Sequence, residues 1–220
     1  MELFDISLPI YNGMWSYRPE WENKITSHIH TNKGDSGTVF HFDICSHTGT
    51  YIETSQHKLN NRILFSDFPI SSFYRNCMVI LINESLVNNE ISLRQVQREV
   101  EKYQLEIKSG DYVIIATGYG INHSKDSFLK HSPSFEIELT HWLIQKKIGL
   151  IGTDSPVIEN QQNPYHPVNK MFLANEKMLL LAPLNIDKNL IASGDYQLSC
   201  LPLPISGVSG GQCRAVLIKK

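Results

Sequence analysis

The sequence lacks the features of a nucleic-acid-binding or membrane-spanning protein. Its 220 residues carry a formal net charge of −2, and lysine and arginine are too scattered to follow a phosphate backbone. No apolar run approaches the roughly 20 residues that a membrane helix needs. The first residues, "MELFDISLPI", lack the basic and apolar regions of a secretory signal. We therefore expect a cytoplasmic protein with neither a nucleic-acid nor a membrane partner.

Cysteine is scarce, and nucleotide-binding motifs are missing. The four cysteines lie far apart and form no C-x-x-C pair, which predicts reduced, mostly buried thiols rather than a disulfide framework. Neither G-x-G-x-x-G nor a Walker A loop occurs, so a doubly wound nucleotide-binding fold is not indicated.

The remaining composition is that of a globular protein. Hydrophobic residues make up 41% of the chain and charged residues 19%, without repeats, low-complexity tracts or flexible linkers. This predicts a single domain spanning residues 1–220.

The secondary-structure pattern is rich in strands and poor in helices. Ser92 is predicted to cap a helix that ends near Tyr103, and Ser134 to cap a second helix from about Phe135 to Lys147. Strands are predicted at "LFDISL", "ITSHIHT", "TVFHFDICS", "CMVILI", "YVIIAT", "GLIGTD", "KMLLLAPL" and "RAVLIKK". A strand-rich first third followed by alternating strands and helices predicts an α/β protein with mixed β layers and few helices.

The stretch "HTGTYIETSQH" concentrates the residue types of an acid–base or metal site. His47, Tyr51, Glu53 and His57 share one face if the chain is extended. On a straight strand the two histidines would lie about 33 Å apart, too far to touch one small substrate. We therefore expect either a bend at Gly49 or a return loop that brings the second histidine back.

This stretch resembles the motif H-x-G-T-H-x-D-x-P-x-H of the cyclase superfamily, which includes bacterial kynurenine formamidases, isatin hydrolases and cyclases of secondary metabolism. Four further segments resemble family segments in the same order: "DISLPIYNGM", "SGDYVIIATGYG", "LIGTDSPVIE" and "CLPLPISGVSGGQCRAVLI". The resemblance covers nearly the whole chain and implies a swivelling β/β/α fold. It also implies assembly into a homodimer or homotetramer.

In the family, the first two motif histidines and the aspartate bind one or two divalent metals, usually zinc or manganese, with a later histidine and glutamate. The final motif histidine is the acid–base group. The resemblance assigns the first ligand to His47 and the acid–base role to His57. The other positions depart from the pattern, with Tyr51, Glu53, Ser55, Asn169 and Leu181 in place of histidine, aspartate, proline, histidine and glutamate.

The departures reduce the number of expected metal ligands. Catalytic zinc uses about three protein ligands, and only His47 and Glu53 remain as strong candidates. His166 could supply another, although its "NPYHP" context is typical of a loop. The sequence therefore predicts a site with no metal and no other cofactor.

A site without metal can still transfer protons. We expect a metal-independent cyclase-type enzyme that acts on a carbonyl-containing, polyketide-like small molecule of specialised metabolism. His57 would be the general acid or base, Glu53 its partner, Tyr51 a hydrogen-bond donor and His47 an orienting group. Two alternatives stay open: a metal-dependent amide or lactone hydrolase, and an inactive relative that only binds a ligand.

The walls of the substrate site are predicted from two regions. Trp15, Tyr17 and Trp21 lie in a segment that resembles the family's substrate-covering loop, and three aromatics suit a ring-shaped ligand. Asp154 and Ser155 end a predicted strand, where α/β proteins often bind ligands. Asn169 completes the set of expected substrate-binding residues.

Overall fold

The computed structural model describes residues 1–57, 63–124, 127–174 and 177–219. Within these ranges the helices are α1 Leu93–Lys102, α2 Ile137–Gln145 and α3 Pro167–Leu173. The strands are β1 Glu2–Asp5, β2 Lys24–Ile29, β3 Val39–Asp43, β4 Tyr51–Glu53, β5 Tyr74–Leu81, β6 Glu90–Ile91, β7 Tyr112–Ala116, β8 Ser134–Phe135, β9 Leu150–Thr153, β10 Leu179–Ala182, β11 Gly194–Ser199, β12 Gly210–Gln212 and β13 Val216–Lys219.

Nine of these strands form one mixed sheet in the order β1-β13-β11-β5-β7-β9-β10-β4-β12. The central strands β5, β7, β9 and β10 are parallel to their neighbours in that run. The outer pairs are antiparallel, including the two that place β4 between β10 and β12. The short strand β4, which begins shortly after His47, is therefore held on both sides.

The sheet buries a hydrophobic core on each face. Successive residues of β5 alternate between the two cores, with Val79 in one and Ile80 in the other. The first core contains residues from opposite ends of the sheet, such as Ile52 and Leu217, which shows that the sheet curls around it. All three helices contribute to the second core. The predicted α/β fold with mixed β layers and few helices is confirmed.

Helix α1 begins as the sequence predicts. The Ser92 hydroxyl accepts a hydrogen bond from the Gln95 N–H at 3.3 Å, and the Gln95 side chain accepts one from the Ser92 N–H at 3.0 Å. This reciprocal pair is a capping box, which satisfies two backbone groups at a helix start. The helix ends with Tyr103 as its C-cap residue, also as predicted.

The predicted start of α2 is wrong. Ser134 lies in β8 rather than at the cap, and Glu136 precedes the first helical residue. The Glu136 carboxylate accepts a hydrogen bond from the Leu93 N–H at 2.8 Å, so it stabilises the start of α1 instead of its own helix. The sequence pattern could not show this, because the two helix starts become neighbours only in the folded chain.

Most predicted strands are present with shifted ends, and several elements were not predicted. The segment "LFDISL" forms β1 and then leaves the strand, with Ser7 in an isolated bridge to Leu184. The prediction for "RAVLIKK" corresponds to β13, and Lys220 lies outside the described residues. The elements β6, β8, β11, β12 and α3 were not predicted. Strands β6 and β8 have two residues each, β11 is largely polar, β12 contains two glycines, and α3 has only seven residues.

Strands β2 and β3 form a separate two-stranded ribbon. Ile25 faces Phe42 across the ribbon, and Ser27 faces Phe40. Both phenylalanines are exposed, so one face of the ribbon is apolar and open. Assembly into a homodimer or homotetramer stays a prediction.

Two further sequence expectations concern cysteine and the membrane. All four cysteines are free thiols, and Cys77 and Cys200 are buried. Among the described residues, no helix has the length and apolar character needed to cross a membrane.

Candidate active site

A bend in the backbone brings the two histidines of "HTGTYIETSQH" together. Gly49 has φ +67°, in the left-handed region that favours glycine. After β4 the chain turns through a short 3-10 segment, Ser55–His57, in which the His57 N–H donates to the Thr54 carbonyl at 3.1 Å. The ring centroids of His47 and His57 consequently lie 4.4 Å apart. The expected bend at Gly49 is present, and the turn after β4 provides the return.

Glu53 lies between the two histidines. Its Oε2 atom is 3.0 Å from Nε2 of His47 and 3.8 Å from Nε2 of His57. The carboxylate is almost fully buried, while the His57 side chain keeps 25% of its surface exposed. Potential ligand atoms of the three residues all lie within 4.8 Å of one another. The structure thus adds His57 as a third candidate metal ligand. The family resemblance had predicted an acid–base role for this residue.

The orientation of His47 is fixed from both sides of its ring. Nδ1 lies 2.8 Å from the Ser46 hydroxyl, while Nε2 faces Glu53. A ring held in this way presents one defined nitrogen to the site, as outer hydrogen bonds do for metal-ligating histidines. The Tyr51 ring packs against it with centroids 4.6 Å apart, and Trp21 lies 6.3 Å away.

Tyr51 is connected to Tyr17 rather than free to donate into the site. The two hydroxyl oxygens lie 2.8 Å apart, and the Tyr17 hydroxyl donates to the Pro156 carbonyl. A phenol has one O–H to donate, and that of Tyr17 goes to Pro156. Tyr17 must therefore accept a hydrogen bond from the Tyr51 hydroxyl. Burial raises the pKa of both phenols well above their ordinary value, so both are neutral at pH 7. The expected role of Tyr51 as a hydrogen-bond donor to the substrate is therefore corrected. Toward the cavity, its oxygen can act as a hydrogen-bond acceptor.

The cluster opens into a cavity of about 460 Å³. The predicted residues that line it are Tyr17, Trp21, His47, Tyr51, Glu53, His57 and Asn169. The wall also contains residues that were not predicted as site residues, namely Arg18, Leu129, Pro156, Val157, Glu159, Gln161, Lys170 and Leu180. Glu159 is the most informative of these, because it is a second buried carboxylate in the same cavity.

Glu159 is held by the segment that carries Asn169. Its Oε2 atom accepts a hydrogen bond from the Asn169 N–H at 3.0 Å, near the start of α3. A sequence signal was available, since Glu159 is the last residue of "LIGTDSPVIE", one of the segments that resemble the family. His166, the possible additional ligand, precedes α3 as its N-cap residue and also lines the cavity. It is not part of the three-residue cluster.

Three predicted substrate-binding residues lie outside this cavity. Asp154 and Ser155 are fully buried, and neither lines the wall. The Asp154 carboxylate accepts hydrogen bonds from the Thr117 N–H at 3.1 Å and the Gly120 N–H at 3.5 Å. The Ser155 hydroxyl donates to backbone carbonyls. The prediction that Asp154 and Ser155 contact the substrate is therefore corrected. Both side chains instead hold loop segments together through hydrogen bonds to the backbone.

Trp15 also lies outside the cavity, although it supports the wall. Its ring packs edge-on against Tyr17 and Phe128, with centroids 5.0 and 5.2 Å away. Leu181, where the family has a ligand, is fully buried in the core and pairs with Ile52, so it contributes no donor.

The three-residue cluster fits one divalent cation. Two imidazole nitrogens and a carboxylate form one of the ligand sets of catalytic zinc sites. The separations of 3.0 and 3.8 Å between donor atoms suit ligands around one ion at about 2.0–2.2 Å. The described residues thus provide one candidate cation site of this composition in the cavity wall.

Comparison with known proteins identifies the family. Residues 4–160 match the model of the family described as "Putative cyclase". The chain belongs to the cyclase family. The resemblance found in the sequence motifs is therefore confirmed, over most of the chain.

Curated relatives extend the match to nearly the full length. A kynurenine formamidase from Bacillus thuringiensis subsp. konkukian (strain 97-27) is 26% identical over 230 residues, covering 98% of this cyclase-family chain and 97% of the relative. A kynurenine formamidase from Erythrobacter litoralis (strain HTCC2594) is 24% identical over 216 residues, covering 98% and 93%.

Solved structures share the fold. Isatin hydrolase A from Labrenzia aggregata, bound to benzyl benzoate, has a TM-score of 0.83 at 18% identity and covers 100% of this chain and 94% of its own. A predicted metal-dependent hydrolase from Bacillus stearothermophilus has a TM-score of 0.79 at 23% identity, covering 98% and 97%. At these identities the likeness concerns the fold alone.

Proposed function

We propose that this protein is a hydrolase of amides or lactones and that His47, Glu53 and His57 hold one divalent cation in its active site. The observation that carries the proposal is the convergence of three potential ligand atoms within 4.8 Å at the end of a cavity. The curated relatives are kynurenine formamidases and the structural neighbours include isatin hydrolases, which supports hydrolysis at a carbonyl. This proposal departs from the metal-free site that the sequence predicts, because His57 raises the ligand count to three.

A bound divalent cation polarises a carbonyl oxygen and lowers the pKa of water. The chain itself supplies the surrounding groups. Ser46 holds Nδ1 of His47, so that Nε2 faces the site. The Tyr51 hydroxyl donates its hydrogen bond to Tyr17, and its oxygen accepts a hydrogen bond from a substrate N–H. The Trp21 ring forms an apolar wall for a ring-shaped substrate.

A second candidate function is the metal-independent cyclase chemistry expected from the sequence. One observation favours it: His57 combines partial exposure toward the cavity with a carboxylate at 3.8 Å. Such a pair can take a proton from carbon or oxygen and return it, which contributes about 10²–10⁴-fold to a rate. The substrate would then be a reactive, polyketide-like carbonyl compound, because this contribution alone is small for amide hydrolysis.

Metal content and turnover, measured on the same preparation, separate the two functions. The purified chain is stripped of metal, reloaded with Zn²⁺ or Mn²⁺, and analysed by inductively coupled plasma mass spectrometry. Hydrolysis of formanilide and of isatin is followed by absorbance before and after loading. We expect one ion per chain and turnover that depends on the ion.

Variants test the assignment of ligands. Glu53→Gln and His57→Ala should lose the ion and should lower turnover by at least about 10²-fold. His28→Ala, on the exposed ribbon, is the matched histidine control and should retain both. A stripped chain that binds no added ion, yet keeps full turnover, contradicts the cation proposal and supports the metal-independent function. Ligand binding without turnover, with or without metal, contradicts both and indicates an inactive relative.

A further inference from the structure

The three residues of the cluster leave one task of hydrolysis unassigned. When His47, Glu53 and His57 hold a cation, the donor atoms that face the ion are deprotonated and occupied. His57 can then no longer serve as the acid–base group. Hydrolysis of an amide still moves a proton from the attacking water to the leaving nitrogen. Another group in the same cavity is needed to transfer it.

The described part of the cavity wall contains six more titratable side chains, namely Tyr17, Arg18, Tyr51, Glu159, His166 and Lys170. A guanidinium and an ammonium have no lone pair to offer, so Arg18 and Lys170 cannot take a proton from water. Burial holds the pKa of both tyrosines well above the ordinary value, so neither phenol exchanges its proton near pH 7. Glu159 and His166 are the two groups left.

Their positions favour Glu159. The residue is only 3% exposed, whereas His166 is exposed at the N-cap of α3. One carboxylate oxygen of Glu159, Oε2, accepts the Asn169 N–H at 3.0 Å, which fixes the orientation of the group. The other oxygen, Oε1, has no hydrogen-bond partner in the described part of the chain and is not sealed from solvent. Because Glu159 lines the cavity, the lone pairs of Oε1 are open to it.

Glu159 is also held near the cluster without belonging to it. Asn169, which donates to Glu159, lies in the first turn of α3. Helix α3 packs against the 3-10 segment Ser55–His57, and both Asn169 and His57 line the cavity. The hydrogen bond to Asn169 therefore places the carboxylate at the end of the helix that packs against the His57 segment. A molecule bound in this cavity has the candidate ligands and a Glu159 oxygen in the same wall.

We propose that Glu159 is the general acid–base residue of this site, an inference that rests on the proposed hydrolase function for the position of the carbonyl. Oε1 takes a proton from water while the water oxygen bonds to the carbonyl carbon and the π electrons move to the carbonyl oxygen. As the carbonyl re-forms, the C–N bond breaks and Glu159 gives the proton to the leaving nitrogen. The carboxylate is regenerated, and water is the only reactant consumed besides the substrate.

Glu159→Gln separates proton transfer from the capping of α3. A glutamine oxygen still accepts the Asn169 N–H, but the amide cannot take a proton from water. In the full chain loaded with Zn²⁺, the variant should keep one ion and the wild-type midpoint of urea unfolding. Its kcat for formanilide should fall by at least about 10²-fold, with little change in KM. A Glu159→Gln protein with wild-type kcat overturns the proposal.

The leaving group distinguishes proton transfer from a disturbed cavity. The nitrogen of 4-nitroaniline is far less basic than that of aniline, so 4-nitroformanilide needs less help from a proton donor. The loss of kcat in Glu159→Gln should therefore be at least about tenfold smaller for 4-nitroformanilide than for formanilide. A structural disturbance lowers both rates by the same factor. An equal loss for the two compounds therefore also overturns the proposal.

Two further variants complete the comparison. Glu138→Gln makes the same chemical change on the exposed surface of α2 and should leave the rates for both compounds unchanged. His166→Gln measures the rival group and should lower kcat for formanilide far less than Glu159→Gln does. If His166→Gln shows the larger loss and the dependence on the leaving group, the acid–base role belongs to His166 and the proposal is overturned.

The results separate this inference from the proposed function. If the chain hydrolyses formanilide with a bound ion and Glu159→Gln behaves as wild type, the role of Glu159 fails and the hydrolase function stands. If the metal-stripped chain keeps full turnover but Glu159→Gln loses it, the cation fails and the role of Glu159 stands. A chain that hydrolyses neither formanilide nor isatin overturns both.

Discussion

The Tyr51 hydroxyl oxygen lies 2.8 Å from the Tyr17 hydroxyl, which itself donates to the Pro156 carbonyl. A carbonyl can only accept, so the direction of the whole chain is set from its end: Tyr51 donates to Tyr17, and Tyr17 donates to Pro156. The lone pairs of Tyr51 are left for the cavity. A residue that looks like a donor from its type becomes an acceptor because of its neighbour.

Substitution of Tyr51 should change the preference for substrates that carry an N–H. Formanilide has this group and N-methylformanilide lacks it. We expect Tyr51→Phe to lower kcat/KM for formanilide by about tenfold, the value of one hydrogen bond of roughly 1.4 kcal/mol, with little effect on the N-methyl compound. Tyr17→Phe removes the acceptor of the Tyr51 O–H and should weaken the preference, because Tyr51 can then donate toward the cavity. An equal loss for both substrates in Tyr51→Phe would show that the tyrosine does not accept from the N–H.

Replacement of Gly49 should disturb the site through the backbone. A Cβ at this position would lie 2.7 Å from Cγ1 of Ile10, and the residue has φ +67°. We expect Gly49→Ala to reduce the free energy of unfolding by about 1–3 kcal/mol or more, as measured by urea denaturation. Gly13→Ala is the matched control, since Gly13 also has a positive φ but no atom within 4 Å of the added Cβ. A Gly49→Ala effect no larger than that of the control would show that the contact with Ile10 is unimportant.

Replacement of Asp154 should reduce stability without changing substrate or metal binding. Its carboxylate accepts backbone N–H groups of the loop after β7, and burial raises its pKa despite those bonds. In Asp154→Asn an amide N–H₂ replaces one acceptor oxygen, which should cost about 1–3 kcal/mol in urea unfolding. Asp195→Asn, on the exposed surface, should have little effect. A folded Asp154→Asn protein with strongly weakened ligand binding would restore the substrate-binding role expected from the sequence.

Alkaline pH should destabilise the fold through its buried tyrosines. Burial raises the pKa of Tyr112 to about 12 and holds that of Tyr51 well above the ordinary 10.0. The unfolded chain ionises these phenols near pH 10, whereas the folded chain keeps them neutral. Their effect on stability is therefore constant below pH 10 and becomes unfavourable as the pH rises from 10 toward 12.

Urea unfolding followed across this pH range measures the effect. The midpoint should fall above pH 10, and the fall should be smaller in Tyr112→Phe. Tyr74→Phe removes an exposed tyrosine and should leave the pH dependence unchanged. A midpoint that stays constant up to pH 12 would contradict the assignment of raised pKa values to the buried phenols.

The sequence was sufficient to predict those structural elements whose formation depends on neighbouring residues or on a periodic apolar pattern. The continuous apolar runs of β5 and β7 predict buried strands, and Ser92 predicts the cap at the start of α1. The ordered family segments predict the family and fold. The start of α2 could not be read locally, because Glu136 caps a different helix. Glu159 could have been found from its position in a family segment.

By itself, the sequence determined which residue types are available at the site: two histidines, a glutamate and a tyrosine within eleven residues, with glycine at the one position that permits the bend. Tertiary structure decided how they act. The turn after β4 brings His57 to 3.8 Å from Glu53 and makes it a possible third ligand. The carbonyl of Pro156, far along the chain, accepts the hydrogen bond of the Tyr17 hydroxyl. Tyr51 must then donate to Tyr17, which leaves its oxygen as an acceptor toward the cavity. Distances and hydrogen-bond directions between remote segments depend on the packing of the whole sheet, which no local pattern encodes.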